Sequence, residues 1–466
     1  MQRKHHPTKA FPLLLGFALI LSACGDTEAK NGDGEELDFV SLEEAGLEPF
    51  KLYEPPAGSS ARLAYEAGLV SYFEKITRVV HHTEGQRPGE EGFTFDKEEG
   101  PQCIRGDVYS VSTRDLGSKD LVLFLQGGGA CWSDFCLAVT KAPPNMPRPL
   151  ILNPELEANP VASMNVVYFP YCDGSLFAGD HIVPEDDPEK VEKGHTERIY
   201  RGLANLTAGL VVSKARFPNP ERIVLAGSSA GGYGTILASF LVRYVYPDAE
   251  LIIVNDAGVG IGKDGQPGFI DQLLGEFGAA RFVPDDCEEC FVNGHITPLI
   301  DYFLSRDTNS RAAAVTSWYD FIIADIFMGV DPEDFADALD IETTKLHEKF
   351  PDRYRRYIYW GSKGTGHTAL LGDASGLIGA GSAISVEMPK GVNFAGLITN
   401  LELLRFHQLS VEGVTLAEWI GAMIDNDLTA WKDLLVSRDG PEEPEEGEDP
   451  GDGTGEDDAN EEEGEG

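Results

Sequence analysis

Glu221-Arg222-Ile223-Val224-Leu225-Ala226-Gly227-Ser228-Ser229-Ala230-Gly231-Gly232 is an apolar run that ends in a Gly-x-Ser-x-Gly frame, and the apolar stretch Tyr233 to Tyr246 follows it directly. The pattern reads as strand, sharp turn and buried helix. Gly227 and Gly231 have no Cβ to collide with neighbouring backbone, so the turn can be tight enough to lift Ser229 clear of a sheet. The N-terminus of the next helix then lies beneath the serine, where its N–H groups favour an oxyanion. Ser229 is the candidate nucleophile, and Ser228, one residue out of frame, is its rival.

About 100 residues upstream, Asp120-Leu-Val-Leu-Phe-Leu-Gln126 reads as a second strand running straight into Gly127-Gly128-Gly129-Ala130-Cys131-Trp132. Such a glycine loop matches the oxyanion loop of esterases, because unobstructed N–H groups there can point at a carbonyl oxygen beside the N–H of Ala230. A serine at its ordinary pKa needs a general base, usually a histidine oriented by a carboxylate. His367 is the candidate base, since it follows the strand-like Arg356-Tyr-Ile-Tyr-Trp360 on the loop Gly361 to Gly366; His407, in a helical stretch after Leu401, is the rival. For the acid, Asp256 follows Leu251-Ile-Ile-Val254, and Asp320 follows Val315-Thr-Ser-Trp-Tyr319. Both keep the order serine, acid, histidine, and pattern alone leaves the choice open.

The chain has 466 residues and a formal net charge of -41, concentrated towards its ends. A basic start, an apolar run from Phe11 to Leu21 and the junction Leu21-Ser22-Ala23-Cys24 read as a lipoprotein signal peptide over 1–23, with Cys24 the acylated residue. Residues 24–46 read as an acidic tether and 439–466 as an acidic disordered tail. Between them, 47–438 reads as one large domain. Nucleic acid is excluded as a partner, because phosphate binding needs a basic footprint. Six further cysteines, at 103, 131, 136, 172, 287 and 290, suit three disulfides in an exported chain. Cys287-Glu-Glu-Cys290 lacks a second ligand pair, so no metal is expected. Gly258-Val-Gly260-Ile-Gly262 follows a strand but lacks the helix of a dinucleotide loop, and no organic cofactor is expected. Trp132, Tyr171, Phe177, Trp318 and Trp360 read mainly as core, with a wall for sugar or acyl groups as the alternative.

With these pieces placed, residues from about Cys103 to Trp431 resemble the pectin acetylesterase family. The resemblance rests on Leu125-Gln126-Gly127-Gly128-Gly129 with Cys131 beyond, Tyr168-Phe-Pro-Tyr-Cys172-Asp173-Gly174-Ser175 with Gly179-Asp180, Gly227 to Gly232, and Asp256-Ala-Gly258. It implies that Gly128, Gly129 and Ala230 supply the oxyanion N–H groups, that Cys103 pairs with Cys172, and that Asp320 is the acid. Gln126 stands where the family often has Glu, and Thr368 where a Cys often follows the histidine.

The expected architecture is a doubly wound α/β-hydrolase-type domain, mainly parallel in its sheet, with inserted segments near 140–200 and 263–310 forming a cap. The expected protein is a monomeric serine carboxylesterase of the cell envelope, lipid-anchored outside the cytoplasm and acting on O-acetyl or other short acyl esters of a polysaccharide such as pectin. The alternatives are a carboxylesterase or lipase for longer acyl chains, and a glycan-binding surface lipoprotein that has lost catalysis.

Overall fold

A computed structural model describes residues 37–84, 86–360, 366–371, 386–387 and 404–440. The chain divides into Met1–Asp38 and Phe39–Gly466, and the second unit holds every described strand and helix. Cys24, most of the expected tether and nearly all of the expected tail lie outside the described residues. No helix among the described residues is long and apolar enough to cross a membrane.

The core is one sheet of eleven described strands. In chain order they are β1 (Val40–Ser41), β2 (Arg78–His82), β3 (Glu90–Phe95), β4 (Ser110–Arg114), β5 (Asp120–Leu125), β6 (Asn165–Phe169), β7 (Arg222–Ser228), β8 (Glu250–Asp256), β9 (Ser310–Ser317), β10 (Tyr354–Tyr359) and β11 (Leu434–Leu435). Their spatial order is β1-β2-β3-β4-β6-β5-β7-β8-β9-β10-β11. From β6 to β11 every pairing is parallel, whereas β1 to β4 run antiparallel at one edge. The mainly parallel expectation therefore holds for the half that carries the site.

Apolar residues occupy both faces of the central strands, so both faces must be covered. Leu121, Leu123 and Leu125 of β5 join one core with Ile223 and Leu225 of β7, while Val122, Phe124, Val224 and Ala226 join a second core. Helices α1 (Gly202–Arg216) and α2 (Ala230–Val245) bury the first face, and α6 (Leu416–Ile424), with Trp419 and Trp431, the second. Between α2 and α6 the chain adds α3 (Pro267–Phe277), α4 (Pro298–Arg306) and α5 (Pro332–Lys349).

The folded unit begins earlier than expected. The acidic tether is expected to reach residue 46, yet β1 pairs with β2 and Leu42 and Ala45 are buried. The antiparallel edge of the sheet offers β1 a pairing partner, and these two apolar side chains pack beneath it.

Candidate active site

Ser229 links the end of β7 to the start of α2 at φ 55° and ψ -119°. A serine held there costs about 1–3 kcal/mol, so the surroundings must over-determine it. The Ser229 N–H donates to the Asp256 carbonyl at 2.7 Å, and the Tyr233 N–H donates to the Ser229 carbonyl at 3.1 Å. Both glycines of the frame are needed for this approach. A Cβ on Gly231 would stand 2.0 Å from the Leu125 carbonyl oxygen, and one on Gly227 2.3 Å from the Gly231 oxygen. Ala230, as first residue of α2, has an N–H with no acceptor inside the helix.

The glycine loop lies against this elbow. A Cβ on Gly127 would come 3.1 Å from the Ser229 Cβ, and one on Gly128 would strike Tyr171 at 2.6 Å. Gly129 has φ 84° and opens the hairpin Gly129–Trp132/Phe135–Val139, which a disulfide between Cys131 and Cys136 closes. Gln126 accepts the Tyr171 N–H at 3.1 Å through its amide oxygen, an acceptor role that a carboxylate would fill equally well. The other disulfides among the described residues are Cys103–Cys172 and Cys287–Cys290.

His367 meets Asp320. Its Nδ1 lies 2.9 Å from Asp320 Oδ1 and 2.8 Å from Oδ2, with both residues buried. Asp320 stands just beyond β9, and His367 beyond β10, the neighbouring parallel strand. Of the expected loop Gly361 to Gly366, only Gly366 is among the described residues.

Asp256, the rival acid, does something else. Its carboxylate accepts the Ser228 hydroxyl at 2.7 Å and the N–H groups of Ala369, at 3.0 Å, and Leu370, at 3.0 Å. It therefore ties the elbow to the residues just after His367. Burial pushes its pKa up to about 6, against the opposing pull of these hydrogen bonds. Asp173 is likewise pushed up to about 6 by burial, while it accepts the Ser175 hydroxyl and the Arg201 N–H and so holds its turn to the start of α1.

Ser229 opens onto an apolar pocket, part of it open to solvent. Gly129, Ala130 and Ala230 line it beside the serine. The rest of the wall is apolar, with Trp132 and Leu176 on one part, Phe269, Leu273 and Phe277 from α3, and Ile323, Phe327 and Met328 from the segment after Asp320. Both expected cap segments thus contribute. Among the five aromatics singled out, Trp132 lines the pocket. Tyr171 and Phe177 pack on each other at 5.2 Å, and the Trp318 indole N–H donates to the Val436 carbonyl at 2.8 Å. The sequence reading missed Ile323, Phe327 and Met328, although the apolar run after Asp320 was there to be found.

Residues 97–268 match the family model described as Pectinacetylesterase. That stretch of the chain is similar to the pectinacetylesterase family. Two curated relatives from Xenopus laevis share this likeness. Palmitoleoyl-protein carboxylesterase notum2 is 28% identical over 148 residues, covering 29% of this chain and 29% of the relative. Palmitoleoyl-protein carboxylesterase notum1' is 30% identical over 162 residues, covering 30% and 31%. The chain thus spans under a third of the length of these relatives. The pectinacetylesterase match includes the glycine loop and the Ser229 elbow; Asp320 and His367 lie beyond it and are placed by the fold alone.

Proposed function

We propose that this protein is a serine carboxylesterase whose acyl group is longer than acetyl. The observation that carries the acyl preference is the lining of the pocket that opens at Ser229, apolar from Trp132 to Phe269, Phe277 and Phe327. An apolar chain gains about 0.8 kcal/mol for each buried CH₂, so such walls reward chain length. The names of the two relatives, palmitoleoyl-protein carboxylesterases, point the same way.

In this reading Ser229 is the nucleophile, His367 the base and Asp320 its orienting acid. His367 Nε2 takes the hydroxyl proton as Ser229 Oγ attacks the ester carbon. The N–H groups of Gly128, Gly129 and Ala230 hold the oxyanion, and His367 returns its proton to the departing alcohol. Water, deprotonated by His367, then attacks the acyl-enzyme, the bond to Ser229 Oγ breaks, and His367 returns the proton to Oγ as the carboxylic acid leaves. No cofactor enters this route. The protein would act as a monomer outside the cytoplasm, tethered to the cell envelope through acylated Cys24.

The test is a panel of p-nitrophenyl esters from acetyl to palmitoyl, run beside acetylated pectin and xylan. A kcat/KM that climbs well beyond acetyl is the expected result. Preference for p-nitrophenyl acetate with acetate release from either polysaccharide would instead favour the O-acetyl polysaccharide reading.

A further inference from the structure

Asp320 is bonded in two directions. Its Oδ1 accepts from His367 Nδ1 at 2.9 Å and from the backbone N–H of Ile323 at 3.0 Å, and its carbonyl accepts the Ala324 N–H at 2.8 Å. Asp320 is therefore bonded to the first turn of the segment Ile322–Met328, which winds as a π-helix and ends at Gly329 with φ 60°. A π-helical turn is a rare arrangement that recurs at functional sites. The same segment sends Ile323, Phe327 and Met328 into the pocket beside Ser229. In Ile323 the two facts meet: its side chain lines the pocket and its N–H is held by the carboxylate that orients the base.

We propose that the π-helical segment Ile322–Met328 couples occupancy of the acyl pocket to the Asp320–His367 pair, with Ile323 as the positioning residue. This inference rests on the esterase reading above. A chain long enough to press on Ile323 holds its backbone N–H on Asp320 Oδ1, where it already sits at 3.0 Å, and so keeps fixed the carboxylate that holds the imidazole. A short acyl group leaves that contact to the protein alone. Phe269 lines the same pocket from α3, a different element, so the two walls separate binding from coupling. A wall that only binds changes KM; a wall that also positions the base makes kcat depend on chain length.

The test compares p-nitrophenyl acetate and octanoate in the wild-type full chain and in Ile323→Ala, Ile323→Leu and Phe269→Ala. The expected result is that Ile323→Ala lowers the ratio of octanoate to acetate kcat about tenfold, with Ile323→Leu recovering most of it, while Phe269→Ala raises the octanoate KM and leaves that ratio near wild type. Should Ile323→Ala fail to fold by circular dichroism, Ile323→Val is read in its place. Changes confined to KM in both walls, or an equal kcat loss for both esters in the Ile323 variants, would overturn the coupling. Failure of the underlying reading shows separately, in the wild type, as turnover of acetate without octanoate.

Discussion

His367 Nδ1 lies within 2.9 Å of both carboxylate oxygens of Asp320, and neither side chain reaches solvent appreciably. This geometry puts the proton on Nδ1 and leaves Nε2 as the acceptor that a serine hydroxyl requires. Asp320→Asn keeps the size but favours the wrong tautomer. It should lower kcat/KM by about 100-fold or more with little change in melting temperature. A variant with near-normal turnover would remove Asp320 from the triad.

Asp256 should report through stability instead. Asp256→Asn replaces one accepting oxygen by an NH₂ group that faces N–H and O–H donors and cannot accept from them, so unfolding should become easier by about 1–3 kcal/mol. The pH dependence has a definite sign. Burial raises the Asp256 pKa from 3.8 to about 6, so the folded chain holds a proton that the unfolded chain releases in that window. The stability linked to that proton is fully present below 3.8 and lost as pH rises through about 6. The gap between wild type and variant should narrow over the same range in denaturant titrations; a gap that widens would mean that the carboxylate is stabilised by its hydrogen bonds more than burial destabilises it.

The adjacent serines should separate cleanly. Ser229→Ala removes the covalent route and should cost at least about 1000-fold in rate with the fold intact. Ser228 donates its hydroxyl to Asp256 at 2.7 Å, so Ser228→Ala should lose about 1 kcal/mol of stability and keep most of its turnover. Rate measurements beside thermal melts of both variants decide it, and the reverse pattern would move the nucleophile one residue earlier.

Cys24→Ser should release the protein from membranes. Fractionation of cells expressing wild type and variant, with mass spectrometry of the mature N-terminus, checks this. Soluble, unacylated wild-type protein starting at a residue other than Cys24 would end the anchor proposal.

How much of the molecule was legible before the fold depended on the range of each signal. The Gly227-to-Gly231 frame, the apolar runs flanking it and the glycine loop after β5 announce themselves within a short stretch of chain, because elbow and loop are built from backbone geometry that only particular local sequences permit. Those stretches determined the α/β class and marked Ser229 and the glycine loop as the candidates for nucleophile and oxyanion site. The choice between Asp256 and Asp320 was different. Both acids stand at or just beyond the C-terminal ends of neighbouring parallel strands, where Asp256 pairs with Val315, and both keep the required chain order. Only the path of the chain after β10 decides that His367 meets Asp320, while Ala369 and Leu370 turn their N–H groups to Asp256. The pocket lay further still from local reading. Trp132, Phe269 and Ile323 are apolar residues like many others in the chain, and what makes them a wall is convergence on Ser229 from separate segments. A contact between distant residues is set by the packing of whole layers, which no window of neighbouring sequence contains.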